Sequence, residues 1–183
     1  MGWLDSWPVR WLAETHPANQ PTNYPTNKLS NQPTIRLFSK EIMTRQIYVP
    51  PPPQVDPPSR EIYSMMGQAN IFQMIEDFYL ELEQSSIRHL FPDDMVAASK
   101  RSAAFFVGVL GGPPLYQQLY GPPMMRARHL PFIIDEPTRQ EWLACFDRVL
   151  EQAVETYNFP EVHLAGFRQF LIGFSGWMVN TAS

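Results

Sequence analysis

Apolar side chains recur every three or four residues from Ile62 onward, which is the spacing of one face of an α-helix. A final stripe follows the same spacing: Leu164, Phe167, Leu171, Phe174 and Met178. No segment shows the alternation of apolar and polar residues that a half-buried β-strand requires. The sequence therefore predicts an all-α domain.

Short polar residues, prolines and glycines predict where these helices begin and end. Residues suited to a first helical turn stand at four places: Asn70, Asp94, Asp135 with Pro137, and Pro160. Gly111-Gly112-Pro113 should end the second helix. A loop or single turn is then expected up to Gly121, followed by a short helix that carries His129 and stops at Pro131.

The first third of the chain has a different composition. Residues 1–58 hold eleven of the nineteen prolines, and such a segment buries too little apolar surface to offset the entropy of ordering. We expect residues 1–60 to be a disordered, proline-rich extension and residues 61–183 to form the domain. Translation from Met43 is an alternative start. A tryptophan triplet, Trp3, Trp7 and Trp11, suits partner or membrane-surface docking if helical, although a loose tail is favoured.

Charge and cysteine content limit the partners. Residues 61–183 carry eight Lys/Arg against fourteen Asp/Glu, and an acidic domain without a basic stripe argues against nucleic acid. The single cysteine, Cys145, excludes an internal disulfide and fits a reducing cytoplasm. The sequence has neither a long apolar run nor a secretory leader, so we expect a cytoplasmic protein without a membrane span.

One histidine, His129, stands behind two arginines, Arg126 and Arg128, in the segment that precedes Pro131. A neutral imidazole on a helix is a strong axial ligand for haem iron. Guanidinium groups within one turn of it can neutralise the carboxylates on a haem edge. A lone helical histidine is more often structural, so this hypothesis depends on the residues that accompany it.

Three aromatic residues are the main companions of His129. Tyr79 and Trp142 lie on the inner stripes of predicted helices, and each carries a polar atom that needs a partner when buried. Phe91 ends the turn before the second helix. Each of them alone is more simply explained as core. Together with His129 they indicate a cavity with one ligand-bearing wall, apolar sides and two hydrogen-bond donors.

Residues 62–155 resemble a group II truncated haemoglobin, the two-on-two branch of the globins. The resemblance rests on motifs that agree in order and spacing: Phe78-Tyr79, Leu90-Phe-Pro-Asp-Asp94, Gly111-Gly-Pro-Pro-Leu-Tyr116, Arg126-Ala-Arg-His-Leu-Pro-Phe132, and Trp142 with Cys145. The chain has Gly121-Pro-Pro123 where members often have Gly-His-Pro, and Gly67-Gln68 where they have Gly-Gly. The implied fold is a two-on-two helical sandwich that encloses one haem.

The resemblance also implies residue roles. His129 would be the proximal ligand of haem iron, and Tyr79 and Trp142 the distal donors to a bound gas. Ala98 and Ser102 would shape the distal pocket, and the short Ser102 would lose a third distal hydrogen bond or pass it to a water. The implied haem contacts, besides His129, are Phe91, Arg101, Tyr116, Arg126, Arg128, Phe132 and Trp142.

The implied function is a haem b protein that binds O2, CO or NO at five-coordinate iron, for oxygen storage, transport or sensing. The alternative is a peroxidase-like or nitric-oxide-detoxifying haem enzyme, with peroxide among its ligands and an external reductase as electron donor. A haem-free helical interaction module is the least favoured hypothesis. The sequence leaves open whether the protein is a monomer or a homodimer.

Overall fold

The computed structural model describes residue 53 and residues 55–181 of the chain. Within these residues the secondary structure is helical and contains no strand, which confirms the all-α prediction. None of the helices in this range combines the length and apolarity needed to cross a lipid bilayer. The tryptophan triplet, Met43 and most of the predicted extension lie outside the described residues.

The described part of the chain contains seven α-helices and one short 3₁₀ turn. They are α1 (Glu61–Gln84), the 3₁₀ turn (Arg88–Leu90), α2 (Met95–Val109), α3 (Leu115–Tyr120), α4 (Met125–His129), α5 (Glu136–Leu150), α6 (Ala153–Tyr157) and α7 (Glu161–Met178). The four long helices are α1, α2, α5 and α7. Helix α1 packs against both α2 and α5, and α5 packs against α7.

Phenylalanine rings join the four long helices in the core. Phe78 of α1 stacks on Phe146 of α5 with ring centroids 3.9 Å apart. Phe106 of α2 lies 5.6 Å from Phe146, and Phe167 of α7 lies 6.1 Å from Phe106. Buried aromatic side chains contribute large apolar areas, so this cluster is the main source of hydrophobic stabilisation between the helices.

Two of the predicted helix caps are confirmed. The Asp94 side chain accepts a hydrogen bond from the Ala97 amide at 2.9 Å, and Asp135 accepts one from the Thr138 amide at 2.9 Å. These carboxylates satisfy amides that lack an intrahelical partner and favour the positive helix end. Pro160 also directly precedes α7, as predicted.

The predicted cap at Asn70 is wrong. Helix α1 begins at Glu61, and its interruption falls at Gly67, where φ is 71° and ψ is 168°. Such a positive φ suits glycine, so the chain turns there and Asn70 lies inside the following helical stretch. The segment predicted as a loop or single turn before Gly121 contains α3. The sequence missed α6, because a helix of five residues is too short to show a periodic stripe.

The folded part begins before the predicted boundary at residue 61. Val55 lies against Gly173 of α7, and Pro58 is buried. Residues 55–60 contain no helix, yet they pack on the domain. The proline-rich composition of the extension therefore does not prevent its last residues from contributing to the packed structure.

The Gly-Gly pair after α2 permits a close approach to α1. Gly111 has φ of 103°, and a Cβ placed there would lie 2.6 Å from the Cα of Arg60. A Cβ on Gly112 would lie 2.5 Å from the ring of Tyr63. Both positions therefore require glycine, and they fix the end of α2 against the start of α1.

Gly111→Ala should lower the free energy of unfolding by about 2–4 kcal/mol, because it adds a left-handed backbone penalty to a backbone clash. Gly166→Ala is the matched control, since Gly166 is exposed inside α7 and a Cβ there meets no atom within 4 Å. That variant should gain about 0.5–1 kcal/mol. Urea unfolding measures both changes, and equal effects would contradict this account.

Candidate functional site

A cavity of about 350 Å³ lies among the helices. Most of its wall is apolar, with side chains from α1, α2, α5 and α7 and from the segments between them. Apolar wall residues include Phe78, Leu90, Phe105, Met125, Ile134, Phe174 and Met178. A concave apolar site with a few polar groups is the usual form of a cofactor or small-molecule site.

The charged groups on the wall are all basic. Arg101, Arg128 and Arg139 line the cavity together with His129, and no carboxylate does so among the described residues. Arg101 and Arg128 are exposed and stand at the rim, where the Arg101 guanidinium lies 5.5 Å from the centre of the Tyr120 ring. A flat apolar ligand that carries carboxylates on one edge would match this distribution.

His129 presents one free imidazole nitrogen. Its Nδ1 lies 2.6 Å from the carbonyl oxygen of Met125. A carbonyl only accepts hydrogen bonds, so Nδ1 carries the proton and Nε2 keeps its lone pair in the neutral ring. Burial lowers the pKa of His129, and the neighbouring Arg126 and Arg128 lower it further against the opposing Met125 bond. The ring is therefore neutral at neutral pH, as a metal ligand must be.

The backbone around His129 is held by the end of α7. The buried Asn180 side chain donates hydrogen bonds to the carbonyls of His129, at 3.1 Å, and Phe132, at 3.0 Å. Its Oδ1 accepts one from the Ile134 amide at 3.2 Å. Sequence reasoning missed Asn180, because nothing local indicates that a residue after the last helix reaches back to α4.

Two hydroxyl groups meet elsewhere on the wall. The Tyr79 hydroxyl and Ser102 Oγ lie 2.7 Å apart, which joins α1 to α2. Burial raises the pKa of Tyr79, although its bond to Ser102 and the charge of Arg101 act in the opposite direction. The Phe91 ring meets Tyr79 edge to face at 6.0 Å. The hydrogen bond seen here joins Ser102 to Tyr79. The expectation that Ser102 loses the third distal hydrogen bond to a bound gas, or passes it to a water, stays a prediction.

The structure brings most of the predicted site residues together. Those that line the cavity are Tyr79, Phe91, Ala98, Arg101, Ser102, Tyr116, Arg128, His129, Phe132 and Trp142. Arg126 is not among the residues that line it. Its guanidinium donates to the backbone carbonyl of Trp177 and lies 5.9 Å from the centre of that indole. The implied haem contact of Arg126 stays a prediction, and its observed contact ties α4 to α7.

Sequence reasoning also missed Arg139 on the cavity wall. Its Nη2 donates to the Ile172 carbonyl at 3.0 Å and its Nε to Ser175 Oγ at 3.2 Å, and it pairs with Glu136. The available signal was its spacing, since a residue three before Trp142 shares its helix face. Arg139 therefore joins α5 to α7 beside the cavity.

Arg139→Ala should lower the free energy of unfolding by about 2–3 kcal/mol, because it removes the charge-assisted hydrogen bonds that a largely buried guanidinium donates to Ile172, Ser175 and Glu136. Arg168→Ala is the control, because Arg168 pairs with Asp147 at the surface, where the two side chains are 49% and 35% exposed. That change should cost less than about 1 kcal/mol. Urea unfolding of both variants measures these changes. If Arg139→Ala costs no more than Arg168→Ala, the hydrogen bonds of Arg139 contribute little to stability.

Comparison with known families gives a match over most of the domain. A sequence model of the family described as "Bacterial-like globin" matches residues 61–172. Among curated proteins, the chain is 33% identical over 113 residues to Group 2 truncated hemoglobin YjbI of Bacillus subtilis (strain 168). That alignment covers 61% of this chain and 79% of the relative.

Solved structures show the same similarity. Phosphate-bound Hell's gate globin IV superposes with a TM-score of 0.67 at 35% sequence identity, over 74% of this chain and 84% of that one. The group II truncated hemoglobin from Bacillus anthracis superposes with a TM-score of 0.60 at 28% identity, over 70% and 95% of the two chains. The range matched by the family model spans α1 to α6 and the first part of α7.

Proposed function

Because this chain belongs to the bacterial-like globin family and has the two-on-two truncated globin fold, we propose that its cavity holds haem b and binds diatomic gases. The observation that carries this proposal is the state of His129. Its Nδ1 donates a hydrogen bond to the Met125 carbonyl oxygen, 2.6 Å away. This bond directs the Nε2 lone pair away from the backbone. Sequence, fold and ring chemistry thus favour the same axial ligand.

The described residues fit this cofactor. Haem is flat and largely apolar with two carboxylates at one edge, and the cavity offers aromatic walls and exposed arginines at its rim. When bound, haem would supply an iron atom that can bind both a protein nitrogen and a gas. His129 would provide the nitrogen, Phe91 and Phe132 would pack on the ring, and Arg101 and Arg128 would meet the carboxylates.

The remaining polar wall groups support gas binding by hydrogen bonding. Trp142 carries an N–H group, and the hydrogen-bonded pair of Tyr79 and Ser102 has one further proton to donate; all three residues line the cavity. A hydrogen bond to a charged acceptor contributes roughly 1.5–3 kcal/mol, or about one to two decades in dissociation rate. Such bonds are stronger in an apolar enclosure than in water, and so these donors favour oxygen, whose bound form is the more polar, over carbon monoxide.

The titratable wall groups favour reversible binding over peroxide chemistry. Peroxide cleavage needs a group that exchanges protons near neutral pH. Within the described residues, the wall offers Tyr79, Tyr116, three arginines and His129. The pKa of Tyr79 is raised, arginine stays protonated, and His129 is assigned to the metal. Peroxide or nitric oxide turnover by the haem-loaded chain with an added reductant, if fast relative to oxygen release, would overturn this preference.

His129→Ala should abolish stable haem uptake. Titration with hemin followed by absorption near the blue edge of the visible spectrum measures this. His89→Ala is the control, because His89 is exposed, bonds to the Ser86 carbonyl at 3.0 Å and does not line the cavity. A spectrum for His129→Ala that matches the native one would disprove the axial assignment.

The two arginines beside His129 should behave differently. Arg128→Ala removes a cation from the cavity rim and should speed hemin transfer to an acceptor protein by about threefold to tenfold, since a partly exposed charged hydrogen bond contributes about 1 kcal/mol. Arg126→Ala removes the contact with Trp177 and should mainly lower the free energy of unfolding. Equal acceleration of hemin loss by both changes would contradict this difference and support the implied haem contact of Arg126.

A further inference from the structure

Tyr79 and Ser102 form an isolated pair of hydroxyl groups on the cavity wall. Their oxygens lie 2.7 Å apart, and both residues line the cavity. Within residues 55–181, neither side chain makes another hydrogen bond. Each hydroxyl has one proton, so one proton lies between the two oxygens and the second points elsewhere.

The acidity of the two groups decides which proton is shared. A phenol is a far stronger acid than an aliphatic alcohol, and its oxygen shares a lone pair with the ring, so it donates better and accepts less well. Tyr79 is only 9% exposed, so water does not compete for its proton. Tyr79 therefore donates to Ser102, and the Ser102 proton is the one left for the cavity.

Building on the proposed haem site, we infer that Ser102 sets the gas affinity in two ways. It accepts the hydrogen bond of the Tyr79 hydroxyl, and it donates its own, weaker hydrogen bond to the bound gas. A gas in this cavity then meets an aliphatic hydroxyl rather than a phenol. The weaker donor holds a polar ligand less tightly, so oxygen leaves sooner than from a pocket where tyrosine donates directly. Ser102 is thus a specificity-determining residue, and Tyr79 acts through it.

A double-mutant cycle on the full, haem-loaded chain tests this inference. Ser102→Ala should free the Tyr79 proton and slow oxygen release about tenfold. Tyr79→Phe alone should speed release by less than about threefold, because Ser102 still donates. Tyr79→Phe in the Ser102→Ala background should speed release by well over tenfold, so that the double variant releases oxygen faster than the native chain, because no hydroxyl remains at the pair.

The stretching frequency of bound carbon monoxide gives a second readout that does not depend on release kinetics. A stronger donor beside the ligand weakens the carbon–oxygen bond, so Ser102→Ala should lower this frequency. Ser102→Thr keeps an acceptor oxygen and should release oxygen faster than Ser102→Ala does. Ser99→Ala is the matched control, since Ser99 of the same helix is buried, donates to the Val96 carbonyl at 2.9 Å and does not line the cavity.

The possible failures are distinguishable. Equal effects of Tyr79→Phe in both backgrounds would overturn the inference and leave the proposed function intact. Faster oxygen release from Ser102→Ala would overturn it as well, since it would show that the serine only adds a donor. A native chain that takes up no hemin would overturn the proposed function, and with it this inference.

Discussion

The stacked contact between Phe78 and Phe146 is the constraint on which the site depends. Phe78 directly precedes Tyr79 in α1, and Phe146 follows Trp142 by one turn in α5. The Trp142 ring also meets Phe78 at 5.4 Å and Phe146 at 4.9 Å. Because close-packed rings tolerate little displacement, this one contact fixes both polar aromatic residues relative to each other. The core and the cavity wall are therefore parts of one packed unit.

The other side of the cavity depends on tertiary contacts instead of helix propensity. Helix α4 has five residues, far too few to be stable by itself. Asn180 binds the carbonyl of its last residue, Arg126 contacts Trp177, and the Arg128 Nε donates to the Pro123 carbonyl at 3.0 Å. The position of His129 is thus set by the end of α7 and by the proline segment before α4. Changes at Pro123, Trp177 or Asn180 therefore act on the histidine without touching the cavity, since none of these residues lines it.

Sequence patterns predicted the long helices well, because helices depend on local spacing, whereas most residues of the cavity were named through the resemblance to truncated haemoglobins and their roles stay predictions. The stripes of α1 and α7 and the caps at Asp94 and Asp135 depend on residues within one or two turns. The break at Gly67 was missed because a glycine within a helical pattern does not reveal its φ. Contacts between distant residues could not be predicted: Tyr79 and Ser102 are 23 positions apart. The spacing of Arg139 from Trp142 indicates a shared helix face but does not reveal its partners on α7.

The charged groups on the cavity wall affect the orientation of a bound ligand more than its affinity. The chain carries a net charge of −4, yet the cavity wall holds three arginines. Arg139 is neutralised by Glu136, and Arg101 and Arg128 are exposed, so water screens them until a ligand covers the rim. Burial of apolar surface against the aromatic wall must therefore supply most of the binding free energy of a flat cofactor. The rim arginines would then distinguish its carboxylate edge from its apolar edge, so that the carboxylates face the rim.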